Sequence, residues 1–297
     1  MFYVIDASYY VFRAWFSVPD DMRDPQGEAV NALYGFTRFI GDFLEHTRPE
    51  YVAVAFDTAL ETCFRNDIYP AYKANREPAP AELKQQFDRC RQVVSAFGCA
   101  EFASPRFEAD DIIGTLVTRM RSAGMRSTIL SRDKDLLQLL DAGDLMWDFT
   151  GGRRTHYKDV AGRFGVTAEQ MADYLALAGD SVDNIPGVPG VGPKTAAALL
   201  AYFGSLDNLY ARLDEVAGVN VRGAARLAAR LSEHRDTAFV SRRLTQIECG
   251  VPMAAEPGAL RRTRPDIDAL NALFDAADFG LTLRRQAARI AERGVQA

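Results

Sequence analysis

Histidine, tryptophan and cysteine are scarce: three, two and four in 297 residues. Cys63, Cys90, Cys99 and Cys249 form no CxxC pair and lie far in sequence from His46, His156 and His234. Neither a disulfide framework nor a zinc site of Cys and His ligands is therefore expected, and the cysteines read as free thiols. The scattered histidines suggest no Ser-His-Asp arrangement, which argues against nucleophilic catalysis by a side chain. No uninterrupted apolar run reaches spanning length, and Met1-Phe2-Tyr3-Val4-Ile5-Asp6 has neither the basic start nor the cleavage site of a leader. A cytoplasmic protein with no membrane partner is expected. Low-complexity segments and internal repeats are missing too. With 48% hydrophobic and 25% charged residues, the chain is long enough for one large core and a smaller domain. Positive charge is also short, the net being −5, which at first speaks against a polyanionic partner. If nine of the acids serve one site, however, the remaining balance turns positive, and an acidic total then hides a mildly basic surface.

Tyr3-Val4-Ile5 reads as a buried strand ending at Asp6, followed by a turn or helix from Ala7 to Trp15. Residues 51–56 read as a second strand ending at Asp57, and between them Leu33, Phe36, Phe39, Ile40, Phe43 and Leu44 recur at helical spacing. Strand, helix, strand is the pattern of a parallel βαβ unit. Residues 127–131 and 145–149 read as further strands, so the first 150 or so residues predict an α/β fold with a parallel sheet. A capping-box pattern at Thr167 and Gln170 opens a helix through Met171, Tyr174, Leu175 and Ala178. A Pro, Ala and Arg-rich connector covers 252–265, and Ile267 to Phe279 reads as a last amphipathic helix.

In parallel sheets the ligand site lies beyond the carboxyl ends of the strands. Asp6, Asp57 and Asp133 stand at such ends, and Glu108-Ala109-Asp110-Asp111 opens the helix carried by Ile112, Ile113, Leu116, Val117 and Met120. Acids in a first helical turn are also simply favourable caps, worth ~0.3 to 1 kcal/mol each. Their company decides between the readings. With Asp135, Asp180 and Asp183 they make nine carboxylates, and two like charges ~4 Å apart repel by about 4 kcal/mol at an effective dielectric of 20. A handful of such pairs would exceed the roughly 5 to 15 kcal/mol that holds a domain folded. Convergence then calls for raised pKa values or bound cations, and an all-oxygen ligand set favours Mg²⁺ or Mn²⁺ over zinc.

Three other stretches each carry two readings. Gly187 to Gly192, followed by Pro193, Lys194 and Thr195, is either a tight loop or a hairpin whose backbone and following helix start bind phosphate without reading bases. It lacks the GKT order of a nucleotide-binding P-loop. Arg65, Tyr69, Tyr72, Lys73 and Arg76 interleave bases with aromatics, as suits a single nucleic-acid strand or else a solvated loop with partly buried tyrosines. Arg222, Arg226 and Arg230 recur every four residues, a solvated face unless another phosphate site lies beside them.

Taken as a set, Val4-Ile5-Asp6-Ala7-Ser8 with Arg13-Ala14, Ala55-Phe56-Asp57, Phe64-Arg65, Tyr72-Lys73-Ala74-Asn75-Arg76, Glu108-Ala109-Asp110-Asp111-Ile112-Ile113-Gly114, Asp133-Lys134-Asp135 and the block from Gly179-Asp180 to Gly192 closely resemble the 5′ nuclease of bacterial DNA polymerase I and its stand-alone relatives, the prokaryotic flap endonucleases. The resemblance implies a PIN-like nuclease core over residues 1–166 with a helical arch near 60–82. It further implies a helix-three-turn-helix region over 167–251 and a C-terminal connector and helix over 252–297. The nine acids would hold two or more Mg²⁺ ions, with Mn²⁺ as the alternative, and the hairpin carbonyls a K⁺ ion. Glu108 and Asp110 are expected as direct ligands, Asp111 as a ligand or a partner through water. Lys73, Arg76 and Arg13 would act on the scissile phosphate. DNA contacts are implied for Arg65, Tyr72, Gly187, Val188, Gly190, Val191, Gly192, Lys194, Thr195 and Arg222. The implied activity is 5′ to 3′ exonuclease and flap cleavage by a monomer on DNA with a 5′ flap, nick or free 5′ end, in replication and repair. The rivals are a branched-DNA-binding protein without catalysis and an RNase on the same core. Ser131 before Asp133 and Thr58-Ala59-Leu60-Glu61 depart from the commoner pattern. With no polymerase region after residue 297, a free-standing nuclease or an excised domain is expected.

Overall fold

The computed structural model describes residues 1–58, 62–221 and 223–294. Among them six strands form one sheet: β1 (Phe2–Asp6), β2 (Tyr51–Asp57), β3 (Ala100–Ser104), β4 (Ser127–Leu130), β5 (Leu145–Asp148) and β6 (Arg153–His156), in the order β3-β2-β1-β4-β5-β6. The first five are mutually parallel, and β6 runs antiparallel to β5. That edge corrects the all-parallel expectation. Strands β3 and β6 escaped the sequence reading because Ala-Glu-Phe-Ala-Ser and Arg-Arg-Thr-His carry too little apolar character for a buried strand, and both lie at edges where polar residues are tolerated. The strand order reverses direction at β1, which sits between β2 and β4, and the crevice for a ligand in such a sheet opens beyond the carboxyl ends at that switch.

The helices are α1 (Ala7–Ser17), α2 (Asn31–Thr47), α3 (Phe64–Ile68), α4 (Ala81–Ala96), α5 (Ala109–Ser122), α6 (Tyr157–Phe164), α7 (Met171–Ala178), α8 (Pro193–Phe203), α9 (Leu206–Ala211), α10 (Ala224–Glu233), α11 (Arg235–Thr245), α12 (Ile267–Ala276) and α13 (Leu281–Arg293). Alternation along the strands sends Val4, Ala53, Ala55 and Ile129 to one face, against Ile112, Ile113 and Leu116 of α5. Ile5, Val54, Phe56 and Leu130 face the other way, against Leu33, Phe36 and Ile40 of α2 and Cys90 and Val93 of α4. Burial at roughly 1.5 to 3 kcal/mol per large apolar side chain thus clamps α5 to the sheet and fixes where its acidic first turn points. The helices from α7 to α11 extend the α5 side of the core.

Thr167 and Gln170 form the expected capping box, the Thr167 amide donating to Gln170 Oε1 at 3.0 Å, and a short 3₁₀ turn leads into α7. The last helix was expected to run to Phe279. It stops at Ala276, Asp278 turns the chain in the left-handed region (φ 52°), and α13 follows. Leu270, Phe274, Leu283 and Ile290 then pack with α2 and α4, so the chain's end closes the far face of the core. The segment expected as an arch holds α3 and a run of turns before α4; residues 59–61 of it lie outside the described residues. All four cysteines are free, and among the described residues no helix is long and apolar enough to cross a membrane.

Candidate active site

The end of β1 and the start of α1 meet at Asp6, which caps the helix by accepting from the Tyr9 amide at 3.1 Å. Its second oxygen accepts from Ser131 Oγ at 2.7 Å, and the Asp133 amide donates to that same hydroxyl at 3.0 Å, tying the ends of β1 and β4 together. At the end of β2, Asp57 accepts from the Ala109 amide at 2.7 Å while its own amide donates to Ser8 Oγ at 3.0 Å. This places the first turn of α5, with Asp110, beside the strand ends. Burial and the nearby Asp57 carboxylate push Asp6 up to about 7. Burial, then Asp133, Asp6 and Asp57, push Asp110 well above the usual carboxylate range, and burial and Glu108 raise Asp57. Asp6, Asp57, Asp110 and Asp133 form no salt bridge among the described residues.

The other acids are neutralised from within. Glu108 accepts from Lys73 Nζ at 2.6 Å, Tyr72 Oη at 3.0 Å and Arg65 Nη1 at 3.3 Å; against its burial, these cations hold its carboxyl below the usual value. Asp183 pairs with Arg76 and, at 3.8 Å, with Lys73, and Asp180 pairs with Lys134. Asp135 is caught between: its Oδ1 is buried without a hydrogen-bond partner, and burial plus Asp133 bring it to about 7. No three His, Cys, Asp or Glu side chains among the described residues form a ready-made cage for an ion. The donor set nonetheless suits a hard cation that keeps several waters, since it is all oxygen, self-repelling and in part orphaned.

Raised carboxyl groups fix a direction for pH. Asp6 and Asp135 bind protons more tightly in the folded chain, at about 7, than at the ordinary 3.8, so their ionisation costs stability as pH rises through that window. The metal-free chain is expected to gain several degrees in Tm on acidification from about pH 8 to about pH 5. Saturating Mg²⁺ reverses the trend. Thermal scans across pH, with and without the ion, check it; a metal-free Tm that falls over this range would remove the repulsion from the argument.

Three expectations are corrected. Asp111 was expected as a metal ligand or a partner through water; it is fully buried and turned to other work, forming a two-pronged pair with Arg65 at 2.7 Å on each oxygen and accepting from the Glu108 and Glu248 amides at 3.0 and 2.9 Å. Arg65 was expected to touch DNA, but it is 2% exposed and donates as well to the carbonyls of Leu244 and Gln246. Tyr72 is 4% exposed and spends its hydroxyl on Glu108. Arg65 thus fits neither the strand contact nor the solvated loop, its guanidinium being interior beside two carboxylates, while Tyr72 is buried more deeply than the loop reading allowed. Lys73 and Arg76 lie at the rim of the acids, where they hold Glu108 and Asp183. Arg13 lies on the exposed face of α1, donating to Tyr9 Oη at 3.3 Å.

The hairpin follows the antiparallel bridge between Asp180 and Ile185. Gly187, Val188 and Val191 donate their amides inward, to Ser241 Oγ, Leu177 O and Val188 O, and the two valine side chains are core. Those three are corrected from DNA contacts to scaffold. Gly190, Gly192 and the first-turn amides of Lys194 and Thr195 remain on the accessible side, the last two lacking helical acceptors as in any first turn. Arg230 lies against Gly190, its Nη1 only 2.1 Å from where a Cβ would stand. Arg230 of α10 thus packs beside the hairpin. Arg222 lies outside the described residues. At Gly187 (φ 62°) an added Cβ would come within 2.4 Å of the Gly179 amide nitrogen. Gly187→Ala is expected to cost ~1 to 3 kcal/mol, or about 2 to 4 °C of Tm per kcal/mol; an unchanged Tm would show that the hairpin relaxes freely.

Ser8, Ser131, Lys134 and Arg230 were not singled out beforehand as site residues, Ser131 having been noted only as a departure and Arg230 only within a stripe. The signal for the first three was adjacency: each lies within two residues of a strand-end acid.

A family model described as "5'-3' exonuclease, N-terminal resolvase-like domain" matches residues 1–165, and one described as "5'-3' exonuclease, C-terminal SAM fold" matches residues 166–268. DNA polymerase I of Rhizobium leguminosarum is 38% identical over 265 residues, covering 87% of this chain and 25% of that protein. The chain thus spans about a quarter of that relative's length. Among solved structures, T5 5′-exonuclease with bound divalent metal ions (zinc) superposes with a TM-score of 0.66 at 20% identity, covering 98% of each chain. The catalytic core of Rad2 in complex with DNA substrate gives 0.65 at 16% identity, covering 98% of this chain and 91% of that one. At those identities the likeness is one of fold.

Proposed function

The chain belongs to the 5′-3′ exonuclease family, and from that premise we propose that it hydrolyses phosphodiester bonds of DNA at a free 5′ end or a 5′-flap junction, using Mg²⁺ or Mn²⁺. The observation that carries this reading is the unpaired, mutually repelling set Asp6, Asp57, Asp110 and Asp133 at the carboxyl ends of parallel strands. Those acids would hold an ion on one side, and Asp135, Asp180 and Asp183, with Glu108, would complete the set on the other. The chemistry two such ions supply when bound is activation of a water and stabilisation of charge on the leaving oxygen. Support comes from the fold shared with an exonuclease solved with divalent ions and with a nuclease core solved with DNA.

The chain's own side chains do the rest. Lys73 and Arg76 exchange Glu108 and Asp183 for the scissile phosphate, so the basic residues that quiet the acids at rest become its clamp. Gly190, Gly192, Lys194, Thr195 and Arg230 grip the duplex backbone, with the hairpin carbonyls as a K⁺ site, and set how far the 5′ end reaches. Cutting belongs to residues 1–166 and holding to 167–251, in a cytoplasmic monomer acting in replication and repair.

The test is cleavage of a 5′-flap DNA and a matched RNA with Mg²⁺ or with EDTA. Cutting of the DNA at the junction, abolished by EDTA, is expected. Binding without cutting would leave a branched-DNA-binding protein, and preference for the RNA would make it an RNase on the same core.

A further inference from the structure

Lys134 stands between two acids of the site, and no other base among the described residues pairs with either. Its ammonium hydrogen-bonds Asp180 Oδ2 and lies 3.8 Å from Asp135 Oδ1. The backbone positions it firmly: the Asp135 amide donates to Asp133 Oδ1 at 2.9 Å, fixing the turn after β4, and Asp180 is held by the Val182 amide at 2.8 Å. The side chain is not buried like its partners. It is 39% exposed against 8% for Asp180 and 15% for Asp135, so the ammonium enters the acidic cleft from the solvent side on a flexible stem. The Asp6, Asp57, Asp110 and Asp133 side of the cleft has no such counter-charge. Two halves of one acidic site therefore differ: the first has no ion pair among the described residues, while in the second Arg76 and Lys73 pair with Asp183 and Lys134 alone offsets Asp180 and Asp135, on a stem that has a way out.

We propose that Lys134 is a resident counter-cation that sets the relative affinity of two divalent-ion subsites, weakening the Asp135, Asp180 and Asp183 side and leaving it when an ion enters. This rests on the metal-dependent reading above. An ion arriving on the bare side meets only carboxylates. One arriving on the other side must first displace a hydrogen-bonded ammonium or accept its repulsion, so the second ion binds at higher concentration than the first. The device keeps the hairpin block docked to the core through Asp180 when the second ion is away, and couples its arrival to release of that tie.

Titration of the full chain with Mn²⁺, without DNA, followed by calorimetry, reads this apart from activity. The wild type is expected to show a tighter and a weaker class. Lys134→Gln tightens the weaker class at least tenfold, about 1.4 kcal/mol, and leaves the tighter class unchanged. Lys134→Arg keeps the charge and titrates like wild type. Circular dichroism and thermal unfolding establish that each variant is folded. Unchanged or weakened affinities in Lys134→Gln overturn the proposal, even where Asp110→Asn abolishes the tighter class and so upholds the metal site. If the wild type binds no Mn²⁺ and flap DNA stays uncut, the functional reading falls and this inference with it.

Discussion

Asp110→Asn is expected to lower kcat for flap cleavage by about a thousandfold or more, and at the same time to raise the Tm of the metal-free chain. Both effects come from one charge. Asp110 sits in the first turn of α5, where Asp133, Asp6 and Asp57 all push its carboxyl toward the protonated form. Ionised, it makes the cleft a strong place for a divalent ion and a costly one without it; the amide keeps the shape and removes the charge. Loss of a catalytic ligand then shows as less activity and more stability, whereas a merely structural acid would lose both together. Steady-state kinetics on 5′-flap DNA and thermal unfolding of the metal-free protein measure the two. Cleavage within tenfold of wild type, or a variant less stable than wild type, would end the assignment.

The opposed effects explain why the strand-end acids could be read from sequence while their neighbours could not. Asp6 and Asp57 end apolar strands and Asp133 lies three residues past the end of another, and a parallel sheet gathers its carboxyl ends along one edge, so pattern and topology together place them. The role of Asp111 is invisible to that argument. It follows Asp110 immediately, yet helical rotation carries it about 100° round the first turn, toward α3 and the segment after α11. What decides its function is a partner 46 residues earlier in the chain, and periodicity says nothing about which distant guanidinium a buried carboxylate will meet. The hairpin failed in a related way: glycine spacing marks close backbone approach but not which amides face inward, and Gly187 and Val188 are committed by Ser241 and Leu177, contacts made only on folding, while Val191 turns back onto the Val188 carbonyl. Of the arginine stripe, Arg226 and Arg230 lie on α10 and Arg222 lies outside the described residues. The stripe's meaning depended on the packing of α10 beside Gly190.

The largest stability effect is expected at Arg65. This side chain, 2% exposed, joins three parts of the molecule: it leaves α3, grips Asp111 and Glu108 at the start of α5, and donates to the carbonyls of Leu244 at 2.8 Å and Gln246 at 3.1 Å where α11 ends. Arg65→Ala leaves two buried carboxylates short of their counter-charge, and removing one partner of a buried pair costs ~3 to 5 kcal/mol. Lysine recovers only part of this, because one ammonium point charge cannot reproduce the planar fork on Asp111. If the loss comes from the orphaned acid and not from lost packing, Arg65→Met combined with Asp111→Leu restores most of the stability, since an ion pair replaced by apolar residues of similar volume is often neutral. Denaturant unfolding of the two single variants and the double closes the cycle. An Arg65→Ala cost below about 1 kcal/mol would mean that water reaches Asp111, and a double variant as weak as the sum of its parts would assign Arg65 to packing. Arg65→Ala is also expected to lose cleavage while its remaining folded fraction keeps Mn²⁺ affinity on the Asp6 side, because Glu108 is released from its setting and Asp6, Asp57, Asp110 and Asp133 are not.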